Sequence, residues 1–72
     1  MSDKKFSKGD NVEWKSHGHN VKGEVEREIT SDTEAAGRTV RASKDEPQYQ
    51  ERRDNTGKEA VHKPRALRSR DN

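Results

Sequence analysis

The sequence predicts an all-β fold, a small closed barrel, on three observations. Apolar residues alternate with polar ones through Asn11-Val12-Glu13-Trp14-Lys15 and again at Val21, Gly23 and Val25. That is the pattern of strands with one face buried and one wet. Turn-forming residues punctuate the candidate strands at short intervals, as in Ser7-Lys8-Gly9-Asp10, Ser16-His17-Gly18-His19-Asn20 and Asp54-Asn55-Thr56-Gly57. No stretch repeats apolar residues at the 3.6-residue period of a helix, and Gly, Asn, Thr and Val recur where a helix needs better formers.

The elements follow in chain order. Phe6 is the first residue worth burying, and Gly9 suits a positive φ in the turn after it. The first strand covers Asn11 to Lys15, with Val12 and Trp14 inward. Residues 16–20 form a loop. The second strand runs from Val21 to Thr30, where Arg27 breaks the apolar series. A bulge or strong bend near Val25–Arg27 is expected to turn it outward. Residues 31–37 read as a polar hairpin tip and Arg38 to Ser43 as the third strand, with Val40 and Ala42 on one face. After the Lys44-Asp45-Glu46-Pro47 loop, a fourth strand spans Gln48 to Arg53, centred on Tyr49. Gly57 takes the positive φ of the next hairpin turn. A fifth strand spans Lys58 to Lys63 with Val61 inward, Pro64-Arg65-Ala66 makes one tight helical turn, and Leu67 closes the barrel. Short strands, tight turns and this late turn describe a small five-stranded SH3-like barrel with a one-turn helix before the last short strand. Residues 1–5 are expected to be a flexible start, 6–68 the single domain, and 69–72 a loose, fraying end.

At 72 residues the chain is one domain at most. So small a core supplies stability on the order of 3–5 kcal/mol. An apolar fraction of 22% and a charged fraction of 42% lean toward disorder. Against this, the charges nearly cancel, to +2, and the large apolar residues lie where strands turn them inward. Cysteine is absent, which excludes disulfide staples and thiolate metal sites and fits a reducing compartment. No apolar run approaches a transmembrane helix or a signal-peptide core. A cytoplasmic, monomeric protein with no membrane contact and no cofactor is expected. Charge is uneven: residues 1–36 carry six Lys/Arg against eight Asp/Glu, and residues 37–72 ten against six.

Several segments together resemble a known family. They are Val12-Glu13-Trp14, His17-Gly18, Val21-Lys22-Gly23-Glu24-Val25, the long block from Gly37 through Ala42-Ser43 and Pro47-Gln48-Tyr49, and Arg53 through Ala60-Val61-His62-Lys63-Pro64 to Ala66-Leu67. In these the chain is similar to the bacterial hypervirulence-associated TUDOR-domain proteins, over about residues 6 to 68. The resemblance implies a Tudor/SH3-like barrel. It carries over no catalytic or ligand residue.

The residues themselves offer few sites. A methyl-lysine cage needs several aromatic rings; Phe6, Trp14 and Tyr49 are the whole supply, and Trp14 and Tyr49 sit at core-facing positions. His17-Gly18-His19, with His62 as a distant third donor, is read as a loop rather than a metal site, because a Gly-containing loop offers neither order nor supporting hydrogen bonds. Parity points His62 outward, where a loop carbonyl is its expected partner. No nucleophile–base pair, carboxylate pair or phosphate-cradling glycine loop is present, so the chain reads as non-enzymatic.

Two binding surfaces remain. Ser43, Lys44, Asp45, Glu46, Pro47 and Gln48 form the most distinctive loop: Ser43 and Asp45 are suited to capping backbone amides, and Pro47 stiffens its exit. This loop is the expected docking site for a protein partner. The alternative is weak, sequence-independent binding of nucleic acid through Arg38, Arg41, Arg52, Arg53, Lys58, Lys63 and Arg65. Asp45, Glu46, Glu51, Asp54 and Glu59 are interleaved with these cations, and no exposed aromatic is available for stacking. A third reading is a stress-linked hydrophilic protein with no specific ligand.

Overall fold

Alternation, turns and one extra residue build the whole architecture. The computed structural model describes residues 5–70. Strand β1 is Asn11–Ser16 and β2 is His19–Ile29. β3 is Thr33–Ala35, β4 Arg38–Val40, β5 Gln48–Arg53 and β6 Glu59–His62. A 3-10 turn at Pro64–Ala66 leads into β7, Arg68–Ser69. The main sheet has five antiparallel strands in the order β6-β5-β2-β1-β7, and β3 and β4 form a separate hairpin.

The main sheet keeps the expected five strands, out of seven among the described residues, while one member changes. The third expected strand, Arg38 to Ser43, shortens to Arg38–Val40 and pairs with Thr33–Ala35, inside what reads in sequence as a hairpin tip. Its place in the main sheet goes to β7, which pairs with β1 through Val12↔Ser69 and Glu13↔Arg68. The loose end expected from residue 69 also begins too early. The Arg70 N–H donates to the Asn11 carbonyl at 2.9 Å, and its guanidinium meets Asp54 at 3.0 Å. Residues 1–4 and 71–72, expected to be flexible, lie outside the described residues.

The loop expected at residues 16–20 is a two-residue turn. His17 and Gly18 both have positive φ, at 52° and 82°, and Ser16 pairs directly with His19. Paired positive φ values match the right-handed twist of the flanking strands, so both strands extend to the turn. Ala36-Gly37 repeats the device between β3 and β4.

The bulge decides the rest. Opposite β5, Val25 pairs with Glu51 but Arg27 pairs with Gln50, leaving Glu26 as the extra residue. Val21, Gly23 and Val25 face the barrel interior; beyond Glu26 the parity reverses, and Arg27 and Ile29 face the other side. The backbone at the bulge is held by the Ser7–Asp10 turn: Gly9 N donates to Val25 O at 2.8 Å, and Val25 N donates to Asp10 O at 2.9 Å.

Two apolar clusters result. Val12, Trp14, Val21, Val25, Tyr49 and Leu67 fill the barrel, with Phe6 and Ala60 packed against them. Phe6 is half-buried, edge-on to Tyr49 at 5.4 Å between ring centroids. Ile29, Ala35, Val40 and Val61 form the second cluster under the β3–β4 hairpin. Trp14 lies against Gly23: a Cβ there meets ring atoms at 2.8 and 2.9 Å and the Arg52 carbonyl at 2.5 Å. Only glycine fits that close approach.

Candidate functional site

The antiparallel pairing of β5 and β6 sets Tyr49 opposite His62. The chain entering β5 therefore runs beside the chain leaving β6, and Pro47-Gln48 lies next to Lys63-Pro64. Between them is a cleft of about 310 Å³ lined by Arg41, Glu46, Pro47, Gln48, Lys63, Pro64 and Arg65.

Both walls are held by their own hydrogen bonds. Ser43 N donates to the Glu46 carbonyl at 3.2 Å, and Glu46 N donates back to Ser43 Oγ at 3.1 Å. Gln48 Nε2 donates to the Arg41 carbonyl at 2.7 Å, and Ala42 N donates to Asp32 Oδ1 at 3.0 Å. On the facing wall, Ala66 N donates to Lys63 O at 2.9 Å and Leu67 N to Pro64 O at 3.0 Å. Pro47 and Pro64 are buried. Proline at the first position of the 3-10 turn has φ pre-set for it and no N–H to leave unpaired.

The six residues of the expected docking loop divide by role. Glu46, Pro47 and Gln48 line the cleft and Ser43 fastens it. Lys44 and Asp45 are exposed at the tip, and Asp45 caps no amide among the described residues. The seven cations also divide. Arg41, Lys63 and Arg65 converge on the cleft, and among the described residues none of them is in an ion pair. Arg38 instead donates to the Val61 carbonyl at 3.0 Å. Arg52 pairs with Glu26 at 2.8 Å, Arg53 is half-buried, and Lys58 is exposed in the β5–β6 turn. The second half of the chain is thus basic without presenting one continuous basic stripe.

Across the outer face of the sheet runs a polar chain. Arg27 Nε donates to Gln50 Oε1 at 2.8 Å, Gln50 Nε2 to Glu26 Oε1 at 2.9 Å, and Arg52 Nε to Glu26 Oε2 at 2.9 Å. Partial burial pushes the Glu26 carboxyl up, but the hydrogen bonds from Gln50 and Arg52 and the Arg52 charge together hold it below its ordinary value.

The barrel interior holds a group that does not fit a mixed-charge surface. Glu51 is 0% exposed. Its Oε1 lies 2.8 Å from His62 Nδ1, and its Oε2 has no hydrogen-bond partner. Burial pushes its carboxyl above the usual range, against the pull of His62. His62 also lies against Trp14, at 5.0 Å between ring centroids. So His62 faces inward, to a carboxylate, and not outward to a loop carbonyl. Its Cα partner is inward-facing Tyr49, and antiparallel partners share a face. Parity was the available signal for Glu51 as well, since it stands two residues from Tyr49. Burial likewise pushes the Tyr49 hydroxyl up; the Phe6 N–H, 3.2 Å away, opposes this and the Glu28 carboxylate adds to it.

His17 and His19 are exposed beside the β1–β2 turn, and among the described residues no three His, Asp or Glu side chains form a group able to hold a metal ion. No helix among the described residues is long and apolar enough to cross a membrane.

No curated protein and no solved structure matches the chain. A family model does, that of the hypervirulence associated proteins TUDOR domain, over residues 9–67. That span starts in the Ser7–Asp10 turn at the bulge and ends on the residue that closes the barrel, so it takes in the whole interior cluster except Phe6 together with the outer hairpin. On that extent of agreement, the chain belongs to the hypervirulence-associated TUDOR-domain family.

Proposed function

We propose that the protein is a non-enzymatic docking module that engages a protein partner through the cleft between the Ser43–Gln48 loop and Lys63–Arg65. Membership in a Tudor-type family supports a small binding module. The observation that carries the finer reading is the convergence itself: β5–β6 register brings Glu46, Pro47 and Gln48 against Lys63, Pro64 and Arg65 in one cleft with internally bonded walls. A pre-ordered wall loses little conformational freedom on binding. Nothing in the cleft pairs a nucleophile with a base, which supports a non-enzymatic role.

The test is site-specific photo-crosslinking in the source organism. A photoreactive residue at position 63 is expected to give a reproducible, identifiable protein adduct, and one at position 22, far along the sheet, is not. Nucleic-acid adducts at position 63 support the runner-up, binding of DNA or RNA, which the convergence of Arg41, Lys63 and Arg65 on the cleft favours. Absence of any adduct at position 63 removes both.

A further inference from the structure

The cleft's lining specifies the chemistry of what it takes, and the inference rests on the docking reading above. Three cations, Arg41, Lys63 and Arg65, face one carboxylate, Glu46. None of the three is neutralised by an ion pair among the described residues. Arg38, Arg52 and Arg70 are engaged elsewhere, with the Val61 carbonyl, Glu26 and Asp54, whereas Lys44 is exposed at the loop tip and Arg65 also borders a second hollow with Lys15 and Arg68. The cleft itself carries three cations against one carboxylate, a charge that matches a short acidic segment.

The backbone of the cleft excludes one mode of recognition. Pro47 and Pro64 have no N–H, so a partner strand meets a run without the donors that strand addition needs. The adjoining open edge of β6 is also occupied, since Arg38 takes the Val61 carbonyl. Recognition here falls to the exposed side chains of Arg41, Lys63 and Arg65, with Pro47 and Pro64 buried beneath as rigid walls. Lys63 itself is extended, with φ −73° and ψ 155°, and lines the cleft beside Pro64.

Nucleic acid fits less well. Base stacking needs an exposed ring, but Tyr49 is 0% and Trp14 5% exposed, and Phe6 packs on Tyr49. Phosphate tracking needs cations along a path, and Glu46 interrupts this one. We propose that the cleft binds an extended, acidic peptide segment of a partner protein, with Arg41, Lys63 and Arg65 pairing its carboxylates.

The test uses a labelled peptide of alternating aspartate and proline and a labelled single-stranded DNA of similar length, each titrated at low and at physiological salt. Parent protein is compared with Arg41→Ala/Arg65→Ala and with Lys22→Ala/Lys58→Ala, which removes the same charge at the far end of the sheet. Trp14 fluorescence verifies that each variant is folded. The peptide is expected to bind the parent more tightly than the DNA does. The cleft variant is expected to lose roughly tenfold or more, and the distant variant little, because close charge pairs couple far more strongly than remote ones. Equal losses in both variants show diffuse attraction and overturn the proposal. Tighter binding of DNA through Arg41 and Arg65 overturns it in favour of nucleic acid. No peptide binding at low salt also overturns it. Crosslinking of position 63 to a protein despite that failure leaves docking intact with a different chemistry; absence of crosslinks removes the docking reading as well.

Discussion

The barrel interior and the outer cluster obey the same alternation rule, yet only the first follows it without interruption. Val12, Trp14, Val21 and Val25 reach the interior from two strands paired residue by residue, joined by a two-residue turn. Ile29 reaches the outer cluster only because Glu26 is inserted opposite β5 and reverses the parity of β2, while Val61 reaches it from β6 by its own parity, opposite Gln50. The interior is closed by aromatic rings and Leu67, the outer cluster by small residues on a three-residue-strand hairpin. One is a core that the sheet makes by itself. The other is a patch that one extra residue creates and a short hairpin covers.

The widest separation between the two is expected from Trp14→Ala. It removes the largest interior side chain and should cost about 3–5 kcal/mol, comparable to the whole stability of so small a domain. Urea denaturation should find the variant largely unfolded in water; a melt like the parent's would mean the interior is not what holds the sheet. Gly23→Ala attacks the same region by crowding. With the new methyl 2.5 Å from the Arg52 carbonyl and under 3 Å from the Trp14 ring, the loss should approach the upper end of overpacking costs, about 3 kcal/mol.

Val40→Ala tests the outer cluster. Loss of its buried methyl groups should cost about 1–2 kcal/mol. The amide shifts should change in the hairpin and beneath it while Trp14 keeps its native environment. Shifts spread evenly through the barrel would show that the two clusters melt as one and that the distinction between them has no energetic meaning.

Glu51→Gln sharpens the comparison, because only the interior contains a buried carboxylate. Burial raises the Glu51 carboxyl in the folded chain above its unfolded value. The folded state therefore holds a proton more tightly, so this group's contribution is fully present below the unfolded value, near 4.5, and is lost as pH rises through the folded one. Relative to the parent, the variant should gain stability as pH rises from about 4.5 toward neutrality. Denaturant melts across that range check the sign, and a relative stability that falls with pH would show that His62 fully compensates the buried charge. The smallest effect belongs to Asp54→Asn, which cuts the half-exposed pair to Arg70. It should cost about 0.5 kcal/mol or less and shrink further with added salt.

Particular residues show how far the sequence could be read. The Gln48–Arg53 strand, the Pro64–Ala66 turn, the inward Trp14, Tyr49 and Leu67, and the bend at Val25–Arg27 were all legible, since each depends on local pattern or local chemistry. Glu51 was not. Its parity matched that of Tyr49, but a charged side chain reads as solvated unless a partner is known, and His62 lies eleven residues away. Of the candidate site, the loop from Ser43 to Gln48 stood out, whereas Lys63 and Arg65 were seen only as members of a basic half.

The sequence by itself determined the fold class, the period-two strands, the turns with their positive φ, and the extent of the family match. Those features are encoded within a few residues of where they act. The tertiary structure decided which strand completes the sheet, how the seven cations divide, and that Pro47 meets Lys63 and Pro64 across a cleft. These depend on register between distant segments. Arg41, Arg38 and Arg52 are alike in sequence, and pairing alone leaves one of them at the cleft with no ion pair among the described residues, commits one to a carbonyl, and commits the last to a carboxylate.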